Sequence, residues 1–267
     1  MEATSNTKVV LTPIIYEDKF NQYISLGITE GQYSTSEFAK VLRYIKKHGS
    51  QCVVCTAANN RIFGNTNLAN IELFSLSPQS SEIFDYMSSL VLDKLGQRTS
   101  YEYLDDNFLS VVLLLKYDGD GILIGGDLET SPNKLKGWDA IVNNYELGTK
   151  SSVFKIPHHG SVTGHNDGVW ENLLCENPTS VLTVYNRGSK LPKESDVQRI
   201  KSLSKDLYIV GNNARKDKSL EHHARKNLKE AKIDYISNEV GLVRYRRNLQ
   251  NLTESPKIES FGAARIV

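Results

Sequence analysis

Two short stretches hold the side chains best suited to chemistry. In KIPHHGS, residues 155–161, two of the chain's six histidines, His158 and His159, stand side by side where an apolar run meets Pro157 and Gly160. In ILIGGDLE, residues 122–129, Asp127 follows a glycine pair at the end of another apolar run. A carboxylate and an imidazole at the C-terminal ends of two buried strands can face each other across the mouth of a sheet. Oxygen and nitrogen donors together suit Zn²⁺, Mn²⁺ or Fe, and a carboxylate with two free oxygens can bridge two metals. Side chains of neighbouring residues on an extended segment diverge. One histidine is therefore expected to bind metal while the other faces substrate or supports the ligand shell. The same residues also fit a plain turn and a solvent-facing loop, and one aspartate with two histidines is too few ligands for a two-metal centre.

The remaining histidines have simpler readings. His222 and His223 lie in a charge-rich helical stretch, EHHAR. His48 ends a helix beside Lys46 and Lys47, where a cation suits the helix dipole. His165, in GSVTGHND, is the other histidine near the expected mouth, and with Ser161 it is a candidate substrate-binding residue, although loop exposure also explains it.

These positions need strands to carry them, and the hydrophobic periodicity supplies strands and helices in alternation. KVVLTPII and QCVVCT read as strands flanking the helical pattern TSEFAKVLRYIKKHG. NIELFSLSP follows as a strand and SSEIFDYMSSLVLDKLG as a helix with serine and glycine caps. SVVLLLKY, DGDG and ILIGGD make a hairpin. A helix near NKLKGWDAIVNNYE precedes the strand SVFKIP, which delivers the histidine pair. VWENLLCEN is a short helix, SVLTVY a strand, ESDVQRIKSLS a helix, LYIVG a strand and KSLEHHARKNLKEAK a helix; IDYI and GLVRYR finish the sheet. The expected organisation is one α/β domain over residues 1–247 and a mobile C-terminal tail over 248–267, where the periodicity fades.

Composition narrows the class. With 39% hydrophobic and 24% charged residues over 267 positions, and no apolar run near the roughly 18 to 20 residues of a membrane span, the chain reads as a globular protein without a membrane partner. The opening MEATSNTKVVLTPIIYEDKF lacks a basic region followed by a long apolar block, so the expected location is cytoplasmic. Three cysteines, Cys52, Cys55 and Cys175, make no disulfide framework. The C-x-x-C of QCVVCT has no second pair to close a zinc site and is expected to pack in the core. The net charge of +1 gives no bulk attraction to nucleic acid. From Arg215 to Arg247, however, ten Lys or Arg stand against five Asp or Glu, enough for a local basic face.

The order of the motifs resembles the metallo-β-lactamase fold in its ComEC-like competence-protein branch. NFLSVVLLLKYDGDGILIGGDLE, SSVFKIPHHGS and NPTSVLTVYN follow that branch's N-x-x-S-[LV]-V-L, L-x-T-G-D-L-E and H-H-G-S strand ends and its proline-led strand. Asn107, Ser110, Gly126, Asp127, Leu128, Glu129, His158, His159, Gly160, Ser161, Pro178 and Asn186 fall into register. The resemblance implies a four-layer αββα sandwich, incomplete at its N-terminal side, with a metal site at one edge. It implies Asp127 as the metal-bridging aspartate, His158 as a late metal ligand and His159 as the candidate catalytic neighbour at the substrate edge. It implies Zn²⁺ or Mn²⁺ as cofactor and a metal-dependent hydrolase, with DNA phosphodiesters as the substrate class. Two departures stand out. The family's H-x-H-x-D-H motif is missing, and NRGSKLPKESD has Leu191 before Pro192 where the family often has G-H-P. The chain then reads in one of three ways. It is part of a phosphodiesterase or nuclease whose remaining ligands come from another chain, a catalytically degenerate subunit that binds nucleic acid or protein, or an α/β protein in which PHHGS is a loop without metal.

Overall fold

The computed structural model describes residues 9–11, 53–66, 69–94, 106–186, 188, 190–211, 241–251 and 253–267, and residues 40–49 except 42 and 46. Its centre is an eight-stranded mixed sheet. The strands, numbered along the chain after a parallel pair formed by β1 (Val9–Leu11) and β2 (Val53–Cys55), are β3 (Asn60–Thr66), β4 (Ala69–Ser75), β5 (Leu113–Tyr117), β6 (Asp120–Ile124), β7 (Ser151–Lys155), β8 (Leu174–Thr183) and β9 (Asp206–Val210). A separate antiparallel ribbon joins β10 (Gly241–Arg246) to β11 (Lys257–Gly262), and β12 (Arg265–Ile266) closes the far edge of the main sheet on β9. Helices α1 (Ser80–Lys94), α2 (Gly137–Asn143), α3 (Asp167–Asn172) and α4 (Glu194–Leu203) accompany the sheet.

From β3 to β6 the neighbours run antiparallel, and from β6 to β9 they run parallel in sequential order. Asp118 and Gly119, at φ 42° and 85°, make the two-residue turn that pairs Tyr117 with Asp120. Each parallel step crosses through one helix. Right-handed crossovers between strands laid down in sequence put α2, α3 and α4 on the same face of the sheet. That face carries Phe74, Leu114, Leu123, Phe154, Leu182, Leu207 and Ile209, all buried, and meets Trp138, Ile141, Val169 and Ile200 from the helices. Phe154 sits edge-on to both Trp138 and Trp170, with ring centroids 6.3 and 5.4 Å apart. Such edge-to-face pairs add about 1 kcal/mol each to what burial alone contributes. The other face is apolar too: Leu115, Ile122, Val181, Tyr208 and Val210 are half-buried there.

The alternation of strands and helices read from periodicity is what the structure has, as a mixed α/β fold. Two expectations need correction, and three strands were not foreseen. GLVRYR does not finish the main sheet; it pairs with residues 257–262 in the ribbon. Residues 248–267, where the hydrophobic periodicity fades, contribute β11 and β12. Main-chain pairing rather than burial makes these strands, and a hydrophobic pattern is silent about such pairing. Cys55 is exposed rather than packed in the core, and β3 was hidden by the polar NRIFGNT. The helix expected in 218–232, with His222 and His223, and the strand IDYI lie outside the described residues. No helix among the described residues is long and apolar enough to cross a membrane.

Candidate functional site

Strands β6 and β7 are parallel neighbours, so their C-terminal ends leave the sheet side by side. The pairing continues past both strands: Gly125 N–H donates to the Lys155 carbonyl at 3.0 Å, and His158 N–H donates to the Gly126 carbonyl at 3.2 Å. The GGD loop and the HHG loop are thereby tied backbone to backbone. Gly126 takes φ 57°, a left-handed turn that aims the next residue away from the strand, and that residue is Asp127.

The histidines leave the strand on a backbone that histidine rarely adopts. His158 and His159 have φ 41° and 51°, followed by Gly160 at 80°. Two consecutive non-glycine residues in the left-handed region cost on the order of 1 to 3 kcal/mol each. The surroundings hold them there. Gly160 N–H donates to Pro157 and Ser161 N–H to His158, both at 2.9 Å, and the Arg199 guanidinium, anchored on Asp196 at 3.0 Å, donates to the Gly160 carbonyl at 2.7 Å. The two rings diverge as expected, with centroids 6.4 Å apart, but a left-handed turn rather than extended alternation separates them.

Each ring has one nitrogen fixed. His159 Nδ1 lies 3.1 Å from the Thr183 carbonyl, which only accepts, and 3.3 Å from the Thr183 hydroxyl, which can accept or donate; a proton on Nδ1 satisfies both oxygens and leaves the Nε2 lone pair toward Asp127. That Nε2 is 3.9 Å from Asp127 Oδ1, and the ring also packs against Tyr185 at 5.1 Å. His158 Nδ1 is 2.5 Å from Glu129 Oε1, with Asn107 Nδ2 donating to the same oxygen at 3.0 Å and Thr163 Oγ1 3.2 Å from the ring nitrogen. An imidazole N–H held by a carboxylate or carbonyl is the arrangement that orients metal-ligating histidines. Asp127 is half-exposed, with 49% of its side chain open to solvent, whereas Glu129 is 13% exposed. Lys155 lies beneath: burial lowers its pKa, Asp127 partly restores it, and its Nζ donates to the Ile156 carbonyl at 2.8 Å.

The structure brings Asp127 and His159 together and holds His158 slightly apart on Glu129. The ring facing Asp127 is thus that of His159, where the family resemblance assigned the ligand role to His158. Ser161 Oγ accepts from Thr163 N–H at 3.3 Å, capping a short 3-10 turn over Val162–Gly164. His165 is engaged by its own neighbours. Its Nε2–H donates to Asp167 at 3.0 Å, and its Nδ1 accepts from Trp170 Nε1 at 3.2 Å, beside a small cavity against Pro157 and Arg199. Burial, then the Arg199 charge, holds this imidazole below its ordinary pKa. Glu129 was given no role from sequence. The signal was present, since GDLE places two acidic residues at i and i+2.

The donors of this chain suit Zn²⁺ or Mn²⁺ in kind: one carboxylate and one imidazole lone pair with its proton fixed elsewhere. They do not suffice in number. Among the described residues no group of three or more His, Cys, Asp or Glu could hold a metal ion.

No protein-family model matches the chain, and no solved structure matches it significantly. Competence protein ComA of Neisseria gonorrhoeae is 31% identical over 99 residues, which is 37% of this chain and 14% of that protein. The chain therefore spans a small part of the length of the curated relative it matches, and over that part it is similar to a ComEC-like competence protein.

Proposed function

We propose that this chain is part of a metal-dependent phosphodiesterase of the metallo-β-lactamase type, completed by ligands from another chain. Asp127 and His159 would hold Zn²⁺ or Mn²⁺, with His158 steadied on Glu129 at the substrate edge. A metal held there would supply Lewis-acid chemistry suited to a phosphodiester. The single observation behind this reading is the meeting of Asp127 with a tautomer-fixed, backbone-strained His159 at the ends of two adjacent parallel strands. Strain of this kind persists where function requires it. The apolar second face of the sheet is consistent with the αββα sandwich the resemblance implies, in which a second sheet packs on that face. DNA is the substrate class by likeness to the competence branch alone.

One carboxylate and one imidazole bind a cation weakly and leave it largely hydrated. The purified chain should therefore show negligible cleavage of DNA in Mn²⁺ or Zn²⁺. Material purified from its native source, with whatever chain accompanies it, should cleave DNA, and Asp127→Ala should abolish that cleavage. Robust metal-dependent cleavage by the isolated chain would contradict the shared site. Native material whose cleavage is absent, or unaffected by Asp127→Ala, would leave the second reading, a degenerate nucleic-acid- or protein-binding subunit. The observation favouring that alternative is the lack of a three-donor cluster among the described residues.

A further inference from the structure

We propose that the β10–β11 ribbon is a binding surface for single-stranded nucleic acid, distinct from the Asp127–His159 mouth. Directly paired residues of an antiparallel ribbon share a face. The register Leu242↔Phe261, Arg244↔Glu259, Arg246↔Lys257 puts these six side chains on one face. The opposite face turns inward: Val243, Tyr245 and Ile258 are half-buried, and Tyr245 OH lies 3.4 Å from Tyr117 OH of the main sheet. The outward face is open. Leu242 is 57% exposed, Phe261 43%, and the Lys257 side chain 67%, while Arg246 is also exposed.

Three cations meet one carboxylate there. Glu259 is shared between Arg244 at 2.8 Å and Lys257 at 3.2 Å, so it cannot neutralise both. Arg246 and Lys257 stand directly opposite each other, a like-charge pair that weakens a two-stranded ribbon. A polyanion laid along the face would relieve that repulsion. The Arg244 guanidinium sits 4.9 Å from the centroid of the Phe261 ring, which leaves an exposed aromatic surface backed by a cation. Exposed aromatics interleaved with cations recognise single strands, because every unpaired base offers a stacking face and every linkage a phosphate. A duplex hides its base faces. Two of the ten cations between Arg215 and Arg247, Arg244 and Arg246, stand on this face.

The proposal rests on nucleic acid as the partner class of the function proposed above, but not on hydrolysis, and the test separates the two. Binding of a fluorescein-labelled 20-mer oligo(dT) to the full chain is measured by anisotropy in EDTA, where no metal-dependent cleavage can occur. The wild type should bind, with a logarithmic salt slope near −2, since each phosphate contact on a single strand contributes roughly −0.7. Phe261→Ala should weaken binding about tenfold, the size of one lost base stack. Arg246→Gln should lower the slope by roughly 0.7. Lys257→Gln, at a side chain too exposed to endanger the fold, should do the same and keeps the test decisive if Phe261→Ala is unstable. Three results would overturn the proposal: wild-type affinity in all three variants, equal or tighter binding of a duplex of mixed sequence, or displacement of the oligonucleotide by poly-glutamate at matched charge. The last would indicate an acidic protein partner. Binding that follows the ribbon while DNA cleavage never appears would sink the phosphodiesterase reading and leave the ribbon intact.

Discussion

Strands β6 and β7 carry a carboxylate loop or turn at each end, and the two ends are built differently. At the N-terminal end Asp120 is saturated. Its Oδ1 accepts from Gly121 N–H at 2.6 Å and Ser152 N–H at 2.9 Å, and its Oδ2 from Ser152 Oγ at 2.7 Å and Tyr117 OH at 3.3 Å. At the C-terminal end Asp127 is half-exposed and faces a histidine at 3.9 Å, too long for a hydrogen bond. A carboxylate whose lone pairs are filled by its own chain is spent on the fold. One left open beside a strained histidine is available to something else.

The sharpest way to break this contrast is a pair of truncations. Asp120→Ala removes the acceptor for two backbone N–H groups and two hydroxyls and should cost about 3 kcal/mol in urea denaturation, since stranded donors lose more than the bond was worth. Asp127→Ala should stay within about 0.5 kcal/mol of wild type, as surface substitutions away from such features do. Equal costs at both ends would erase the distinction.

Glu82 extends the saturated pattern to the helices. It is 4% exposed and accepts from Gln79 N–H and Gly137 N–H, each at 2.7 Å, fastening α1 to the start of α2. Burial raises its pKa in spite of those two bonds. Glu82→Gln turns one acceptor into a donor facing an N–H and should cost about 2 kcal/mol by the same urea assay. An unchanged midpoint would mean the two bonds contribute little.

At the open end the expected effect is small and in the opposite direction. Asparagine, whose short side chain can hydrogen-bond locally, visits the left-handed region more readily than histidine does. His159→Asn should therefore leave stability unchanged or raise it by up to about 1 kcal/mol, in spite of the lost bond to Thr183. A marked loss would mean that the ring, rather than the turn around it, supports the fold.

The smallest effect is a pH dependence. His165 has its pKa lowered by burial and by Arg199, so the unfolded chain binds the proton more tightly than the folded one. The stability that follows is fully present above the ordinary histidine value of 6.5 and is lost as pH falls below it. A His165→Gln variant should therefore lose less stability than wild type between pH 7.5 and 5.5. Parallel pH profiles for the two proteins would contradict this.

How much of this was readable beforehand follows from what each element uses to form. The strands β5 to β9 announce themselves as apolar runs because a central strand of a mixed sheet is covered on both faces. The turn at Asp118 and Gly119 is written in residue types that accept positive φ. β3, β11 and β12 lie at edges or in a ribbon, where backbone hydrogen bonds outweigh burial, and composition says little about them; β10 was legible as a strand, but not its partner. At the site, the meeting of the Asp127 and His159 loops was legible because GGD and HHG end two apolar runs. Which histidine turns toward Asp127 was not. That depends on three successive left-handed residues and on Thr183 and Glu129 claiming one ring nitrogen each, all set by tertiary contact. The contacts of His165 with Asp167 and Trp170 were not legible either, since they too are set by tertiary packing.

The central claim is that Asp127 and His159 are two donors of one cation site. Zn²⁺ titration by calorimetry, on the chain without an affinity tag, tests it most directly when wild type, Asp127→Ala and His159→Asn are compared. Weak one-to-one binding that falls at least tenfold in both variants, with the fold of each intact by circular dichroism, is the predicted result. Identical binding in all three proteins would contradict it.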